Sequence, residues 1–380
     1  MYVLMVVPSD FPDGDAGAVR DDAFAHIYRE LGYDVRLVGK SATSRYGQYN
    51  GTDYVSIYKD VPGIRGHFER FFFEHKEYEN IIRAWIKEFG IPSVIHINSI
   101  PEKTISFLIH IAKENNIPIV HDSVEWYSAC EFPHGKLDKA YILKDRLNRK
   151  IIRNPIRVYS ISSFLDDHFK ARGLKSCRIP VIMDVQNTVI GTADADDRVK
   201  LIYAGSPATK DYLKEMVLGV EMLSEVEKSK VLFNIYGATE EQIKSITGLS
   251  RLSACIVAHG RVPRSIVQEE LLKSDFSVLL RPAEERYAKA GFPTKSVEAM
   301  SHGVAMLCNI SSDLGLYLKD GENAIIVDGN TSEDLKKSVQ KILSASRKQI
   351  DEIKRHARIT ADNNFDYRLW IRAVKQIIEE

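Results

Sequence analysis

Short apolar runs alternate with longer amphipathic stretches along nearly the whole chain, the pattern of parallel strands joined by crossover helices. In the first half the strand-like runs are VLMVV (3–7), DVRLVG (34–39), SVIHIN (93–98), IPIVHD (117–122), RVYSIS (157–162) and CRIPVI (177–182). Helical periodicity fills the gaps, over 18–31 directly after the first run and over 68–89, where Phe68, Phe71, Phe72 and Trp85 recur at helical spacing. Large aromatics in such a stripe bury against a core, and this stripe is assigned there. Near 186–198 the periodicity stops. The stretch NTVIGTADADDR is polar, acidic and aperiodic, and reads as a linker. The alternation restarts with KLIYAG (200–205), VLFNIYG (231–237), ACIVAHG (254–260), FSVLL (276–280), VAMLC (304–308) and AIIVD (324–328).

Two such series predict an α/β protein of two Rossmann-like domains facing each other across a cleft, 1–186 and 187–365, with an amphipathic closing helix over 366–380 packing back on the first. A length of 380 residues agrees with two cores rather than one. Ligands of such sheets bind outside the carboxyl ends of the strands, so the cleft is the expected site.

Charge narrows the function classes. Lys+Arg and Asp+Glu both total 52, so no global field draws the chain to nucleic acid, and any bound anion must be met locally. Cys130, Cys177, Cys255 and Cys308 lie too far apart for a zinc or redox pair, and read as reduced thiols of a cytoplasmic protein. The chain opens directly on the strand YVLMVVP, without the basic and apolar regions of a signal peptide, and no apolar run approaches the ~20 residues of a membrane span.

The candidate chemistry centres on EERYAKAGFPTKSVEAMSHGVAMLCN (284–309). Pro293 is preset for a first helical turn and Gly303 suits a left-handed C-terminus, which predicts a helix over 292–302. Its start follows a strand's carboxyl end, where unpaired N–H groups and the positive dipole end suit a phosphate, and Gly291 allows close backbone approach. Helical spacing groups Glu298 with Thr294, Ser301 and His302, while Val297 and Met300 point inward. Taken alone, Glu298 reads more simply as a solvated helix residue.

This stretch, preceded by VAHGRVPRSIVQEELLKSDFSVLLRP and followed by DLGLYLKDGENAIIVD, resembles the C-terminal domain of retaining glycosyltransferases of the GT-B fold, family 4. YAGSPATKDYLKEMVLGVEML resembles that family's first C-domain unit. In the first half DGDAGAVRDDAFAHIYRELGYDV, the VHD at 120–122, SISSFLDDHFKARG and IPVIMD fall in the family's order. The resemblance implies an N-terminal acceptor domain and a C-terminal nucleotide-sugar donor domain.

It also implies roles. Glu298 is the second glutamate of the family's pair and would hold the donor's ribose hydroxyls, a task suited to a carboxylate. The first glutamate's position, which contacts the donor sugar, is Ala290, with Glu284 and Glu285 nearby. Lys210 matches the lysine of the diphosphate clamp. Ser206 stands where its arginine is expected, and of Lys295, Arg281 and Arg286, Lys295 is the choice for the missing charge. Gly291, Phe292, Pro293, Thr294 and Lys295 form the phosphate-facing helix start. His121 matches a histidine that contacts the donor sugar, Gly17 the glycine loop under diphosphate and acceptor with Gly14 a plain turn residue, and Arg261-Val262 the nucleobase seat.

The implied reaction uses a nucleoside-diphosphate sugar as co-substrate and no metal. ADADD (193–197) has the letters of a metal-binding acidic pair but lies in the linker. The implied acceptor is a glycan or lipid-linked hydroxyl in polysaccharide or glycolipid synthesis. The departures at Ala290 and Ser206 keep open a catalytically silent sugar-nucleotide-binding partner subunit, and the shared architecture a sugar-nucleotide 2-epimerase. Finally, GKLDKAYILKDRLNRKIIRNPIR (135–157) sets eight lysines and arginines against Asp138 and Asp145, interleaved with Tyr141, Ile142, Leu147, Ile151 and Ile152. It suits peripheral contact with the anionic inner face of a membrane, and equally a solvated helix with an apolar stripe.

Overall fold

The structure is a computed structural model that describes residues 1–12, 16–40, 46–57, 63–191, 197–205 and 210–379, with the backbone alone over 63–73. The chain forms two compact units, Met1–Asp184 with Tyr367–Glu380, and Val185–Asp366.

In the first unit the strands β1 (Tyr2–Asp10), β2 (Asp34–Lys40), β3 (Tyr46–Tyr49), β4 (Thr52–Ile57), β5 (Val94–Ile97), β6 (Ile119–Ser123), β7 (Arg157–Ser160) and β8 (Ser176–Arg178) join in the order β3-β4-β2-β1-β5-β6-β7-β8. Every neighbouring pair is parallel except β3 with β4. Helices cover both faces of such a sheet, which is why β1 is a continuous apolar run buried from Tyr2 to Val7 rather than an alternating one. Val3, Met5 and Val7 share a core with Phe24 and Tyr28 of the Ala16–Glu30 helix and with Val374, Ile377 and Ile378 of the Ile371–Glu379 helix. Arg157 anchors that last helix by donating to the carbonyls of Ile377 and Ile378, each at 2.7 Å.

The sequence reading misses β3 and β4. They form a hairpin closed by Asn50-Gly51, both at positive φ (47° and 77°), the two-residue turn whose twist matches paired strands. The expected strand over 177–182 shrinks to Ser176–Arg178, since Pro180 has no N–H to give a neighbour. The aromatic helix runs over Gly63–Phe89 with Trp85 buried, while the side chains of Phe68, Phe71 and Phe72 lie outside the described residues.

One buried ion pair ties this unit's first helix to its sheet. Arg20 grips Asp122 at the end of β6 with Nε and Nη2, both at 2.8 Å, and also donates to the carbonyls of Ile179 and Pro180. Removing one partner of such a pair costs about 3–5 kcal/mol, because the other charge is left buried alone. Beside it lie His121 on β6 and His96 on β5, both fully buried, with His96 Nδ1 3.0 Å from the Tyr28 hydroxyl.

The second unit is a sheet of β9 (Val199–Ala204), β10 (Val231–Tyr236), β11 (Ile256–Gly260), β12 (Phe276–Leu279), β13 (Ala305–Cys308) and β14 (Ala324–Ile326), all parallel, in the order β11-β10-β9-β12-β13-β14. Several of its helices open on side-chain caps legible in the sequence, such as Thr331 with Asp334 and Ser346 with Gln349. The described part of the expected linker is no free tether. Arg358 donates to the carbonyls of Val185, Thr188 and Ser301, and the Gly191 N–H bonds to the His302 carbonyl at 2.9 Å. Any Cβ at Gly191 would collide with the Leu272 carbonyl. Residues 192–196, most of ADADD, lie outside the described residues.

Burial pushes His96 and His121 down to about 4, with Asp122 opposing in part. The unfolded chain protonates both near pH 6.5, so between roughly pH 6.5 and 4 it binds more protons than the folded one, and stability rises with pH there. Stability should therefore be complete above that window and fall through it on acidification. Urea unfolding of the first unit is expected to show a lower midpoint at pH 5 than at pH 7, and His96→Gln should remove part of the difference. A midpoint indifferent to pH in both proteins would contradict two buried neutral imidazoles.

Candidate functional site

In the second unit the strand order reverses between β9 and β12, and crossovers that leave neighbouring strands toward opposite faces open a crevice at their carboxyl ends. Gly205 follows β9 there, and Arg281 follows β12. The Asn309 side chain fixes the Arg281 backbone on both sides, accepting its N–H at 2.9 Å and donating to its carbonyl at 2.7 Å.

At this crevice Asp211 accepts three hydrogen bonds. Lys295 Nζ lies 2.6 Å and the Tyr203 hydroxyl 3.0 Å from Oδ2, and Arg281 Nε lies 2.9 Å from Oδ1. The Lys295 ammonium also sits 4.5 Å over the Tyr203 ring. Burial alone pushes the Asp211 carboxyl up, but the Lys295 and Arg281 charges outweigh it and hold the group below the usual carboxylate range. Burial draws the Lys295 ammonium below its usual value, with Asp211 opposing. A Cβ at Gly205 would come within 2.6 Å of Lys295 Nζ and 2.7 Å of the Tyr203 hydroxyl, so only glycine leaves room for this arrangement.

Lys295 lies in the first turn of the Thr294–Ser301 helix, which begins two residues later than the sequence suggests, with Pro293 as its cap at φ −72°. Gly303 takes the left-handed conformation expected of it, at φ 73°. Other residues of the stretch differ from expectation. Phe292 is buried, its ring edge-on to Tyr317 and Phe365 with centroids 5.8 Å away, so it belongs to the core and not to a ligand surface. Gly291 has ordinary extended backbone, φ −81°, and its N–H is taken by the Tyr287 carbonyl at 3.0 Å. Ser301 is buried, donating to the Val297 carbonyl at 2.7 Å, and does not share the half-exposed face of Glu298. Ala290 is fully buried, and Glu284 is exposed and paired with Lys289 at 2.8 Å.

Glu298 lies 3.1 Å from Arg264 Nη2, a partner the sequence reading overlooked. Arg264 opens the Arg264–Leu272 helix, where the positive dipole end disfavours a cation. An arginine at that position signals a nearby carboxylate. Arg261-Val262 form the link between β11 and this helix, so Glu298 and the expected nucleobase seat converge. Lys210 is half-buried, its ammonium 5.9 Å over the Tyr287 ring and its carbonyl 3.4 Å from the Tyr287 hydroxyl. Ser206 lies outside the described residues, as do Gly14 and its neighbours 13 and 15. Gly17, in the first turn of the Ala16–Glu30 helix, and His121 belong to the first unit, and Nδ1 of His121 is buried without a hydrogen-bond partner. Asp211 is the functional candidate missed altogether, because a Lys-Asp pair before a helix looks solvated.

Residues 189–360 match the family described as glycosyl transferases group 1. No curated protein matches the chain by sequence. Solved structures resemble it over almost its full length. Sucrose-phosphate synthase from Thermosynechococcus elongatus has a TM-score of 0.75 at 11% identity, covering 99% of this chain and 98% of its own. Anabaena HepE in complex with UDP-glucose has a TM-score of 0.68 at 14% identity, covering 99% and 98%. WaaG, a glycosyltransferase involved in lipopolysaccharide biosynthesis, has a TM-score of 0.66 at 14% identity, covering all of both chains. At these identities the likeness is one of fold, and that fold is the two-domain α/β architecture of GT-B glycosyltransferases.

Proposed function

We propose that the protein is a retaining glycosyltransferase of family 4, moving a sugar from a nucleoside diphosphate to an acceptor hydroxyl in polysaccharide or glycolipid synthesis. The observation that carries this reading is the pair Lys295 and Arg281, gathered at the strand-order reversal beside a helix start, with Glu298 one turn along the same helix. All three lie within the stretch that matches the glycosyl transferases. The cations and Lys210 suit a diphosphate, Glu298 a ribose and Arg261-Val262 a nucleobase, whereas His121, matched to a sugar contact by the resemblance, is buried within the first unit.

In the reaction the bond from the anomeric carbon to the diphosphate oxygen breaks and a bond to the acceptor oxygen forms on the same face. The departing phosphate oxygen takes the acceptor's proton, so no protein base is needed. Charge grows on the leaving diphosphate, and fixed cations aimed there stabilise the transition state more than the ground state. With that charge met by lysine and arginine, the reading needs no divalent metal. Ala290, lacking the family's sugar-side carboxylate, favours a silent sugar-nucleotide binder as the second reading.

Among the described residues no helix is long and apolar enough to cross a membrane. Peripheral contact from the cytoplasm is part of the proposal. Leu137, Ile142 and Leu143 are 86%, 49% and 44% exposed, on a stretch where Lys136, Lys139, Arg146, Lys150 and Arg153 are also exposed. Both acidic residues there are engaged: Asp138 caps the Lys139–Arg146 helix, and Asp145 accepts from Trp126 Nε1 at 2.8 Å and Arg149 Nε at 2.7 Å. Basic and apolar groups exposed together suit an anionic lipid surface.

Calorimetry with UDP, GDP and ADP should find one that binds, and Glu298→Ala should weaken it by roughly 1.5–3 kcal/mol, the range for a hydrogen bond to a charged group. Unchanged affinity in a folded variant would return Glu298 to the solvated surface. With the matching sugar donor, transfer or slow donor hydrolysis is expected, whereas binding alone marks the silent binder and interconversion of the sugar an epimerase. Activity should persist in excess EDTA, and a loss that manganese or magnesium restores would overturn metal independence. Reversing Lys136, Lys139, Arg146, Lys150 and Arg153 to glutamate should abolish flotation with phosphatidylglycerol vesicles while nucleotide binding survives. Equal flotation of variant and parent would refute the lipid contact.

A further inference from the structure

We infer that Asp211 is a positioning residue that presets the donor-phosphate clamp by pinning Lys295 and Arg281 at the carboxyl ends of β9 and β12, an inference that rests on the donor-site reading above. The three side chains arrive from separate places. Asp211 follows β9, Arg281 follows β12, and Lys295 comes from the Thr294–Ser301 helix. Nothing in the local backbone of any one fixes the others. The carboxylate supplies the common point, with one oxygen for Arg281 Nε at 2.9 Å and the other for Lys295 Nζ at 2.6 Å, and the Tyr203 hydroxyl holds that second oxygen from beneath at 3.0 Å.

Exposure grades in the direction a clamp requires. The Asp211 side chain is 7% exposed, Arg281 15% and Lys295 30%, so the anion is the buried anchor and the cations lie nearer to solvent. Arg281 spends its Nε on Asp211, and its two terminal nitrogens are the fork with which a guanidinium grips an oxyanion. An ammonium has three N–H donors, of which Asp211 takes one. With all three groups ionised the cluster carries net charge +1, and a nucleoside diphosphate is the anion class it would receive. Side chains held in place before the ligand arrives lose less freedom on binding, and that is the benefit of the buried carboxylate.

Coulomb's law supplies the opposing expectation, because a carboxylate beside the cations weakens their pull on an anion. If Asp211 only neutralised charge, Asp211→Asn would bind a diphosphate more tightly. If it positions the cations, the same variant binds more weakly despite the added positive charge.

The test is calorimetry with whichever of UDP, GDP and ADP the parent binds, and with the corresponding nucleoside, on Asp211→Asn, Lys295→Met, the double variant and Tyr203→Phe. Asp211→Asn is expected to lose about tenfold in diphosphate affinity with nucleoside affinity unchanged. In the Lys295→Met background part of that loss should vanish, since Asp211 acts through Lys295 as well as through Arg281. Tyr203→Phe, which leaves every charge in place, should show the same selective loss to a smaller degree, and serves if Asp211→Asn fails to fold. Tighter or unchanged diphosphate binding by a folded Asp211→Asn, equal losses of diphosphate and nucleoside, or additive effects in the double variant would overturn the inference, as would parent-like binding by Tyr203→Phe. A parent that binds none of the three nucleotides would overturn the donor-site reading and this inference together, a result distinguishable from the others because it precedes any substitution.

Discussion

The constraint on which the second unit depends is the reversal of strand order between β9 and β12. Parallel strands must be joined by crossovers, and the hand of those crossovers sends the connections of these two neighbours to opposite faces. Opposed crossovers leave room beyond the ends of the strands at that point, and residues just past them, Gly205, Asp211 and Arg281, meet there with the helix that carries Lys295. The chemistry proposed for the protein uses side chains that topology, and not sequence proximity, has assembled.

The opposite end of β12 offers an instructive contrast. Asp275 is buried and also holds two cations, Arg347 Nη2 at 2.6 Å and Lys354 Nζ at 3.0 Å. Both come from the single Arg347–Asn364 helix, and Asp275 additionally accepts the Lys200 N–H at 3.0 Å. That carboxylate fastens the start and the second turn of one helix to the amino ends of strands. Asp211 joins cations from two different elements beside a helix start. The chemistry is the same and the roles differ because of where the strands end.

Much of the fold was legible because burial on both faces of a parallel sheet demands runs such as VLMVV and VAMLC, which little else in a polar chain resembles. Hairpin β3–β4 was not, since Tyr46–Tyr49 is largely exposed and lacks an apolar period, and only Asn50-Gly51 announces it. Glu298 and Lys295 were legible by their place on a helix opened by proline, although spacing could not reveal that Phe292 turns into the core against Phe365, far along the chain. Asp211 and Arg264 escaped because their meaning lies in partners 84 and 34 residues away. Charge in a sequence can be counted, whereas its pairing is a property of three dimensions.

The first unit is discontinuous along the chain, since its core includes Tyr367, Val374, Ile377 and Ile378 beside β1. A ribosome delivers those residues only after all of 185–366, and domains begin to fold as they emerge. The half made first is therefore the half completed last. Unit 2 has its whole core in hand while the nascent first unit still lacks the cover that the Ile371–Glu379 helix gives to the Ala16–Glu30 helix and β8. Loss of Ile371–Glu379 would be felt at the Ala16–Glu30 helix and at β8, elements made long before it.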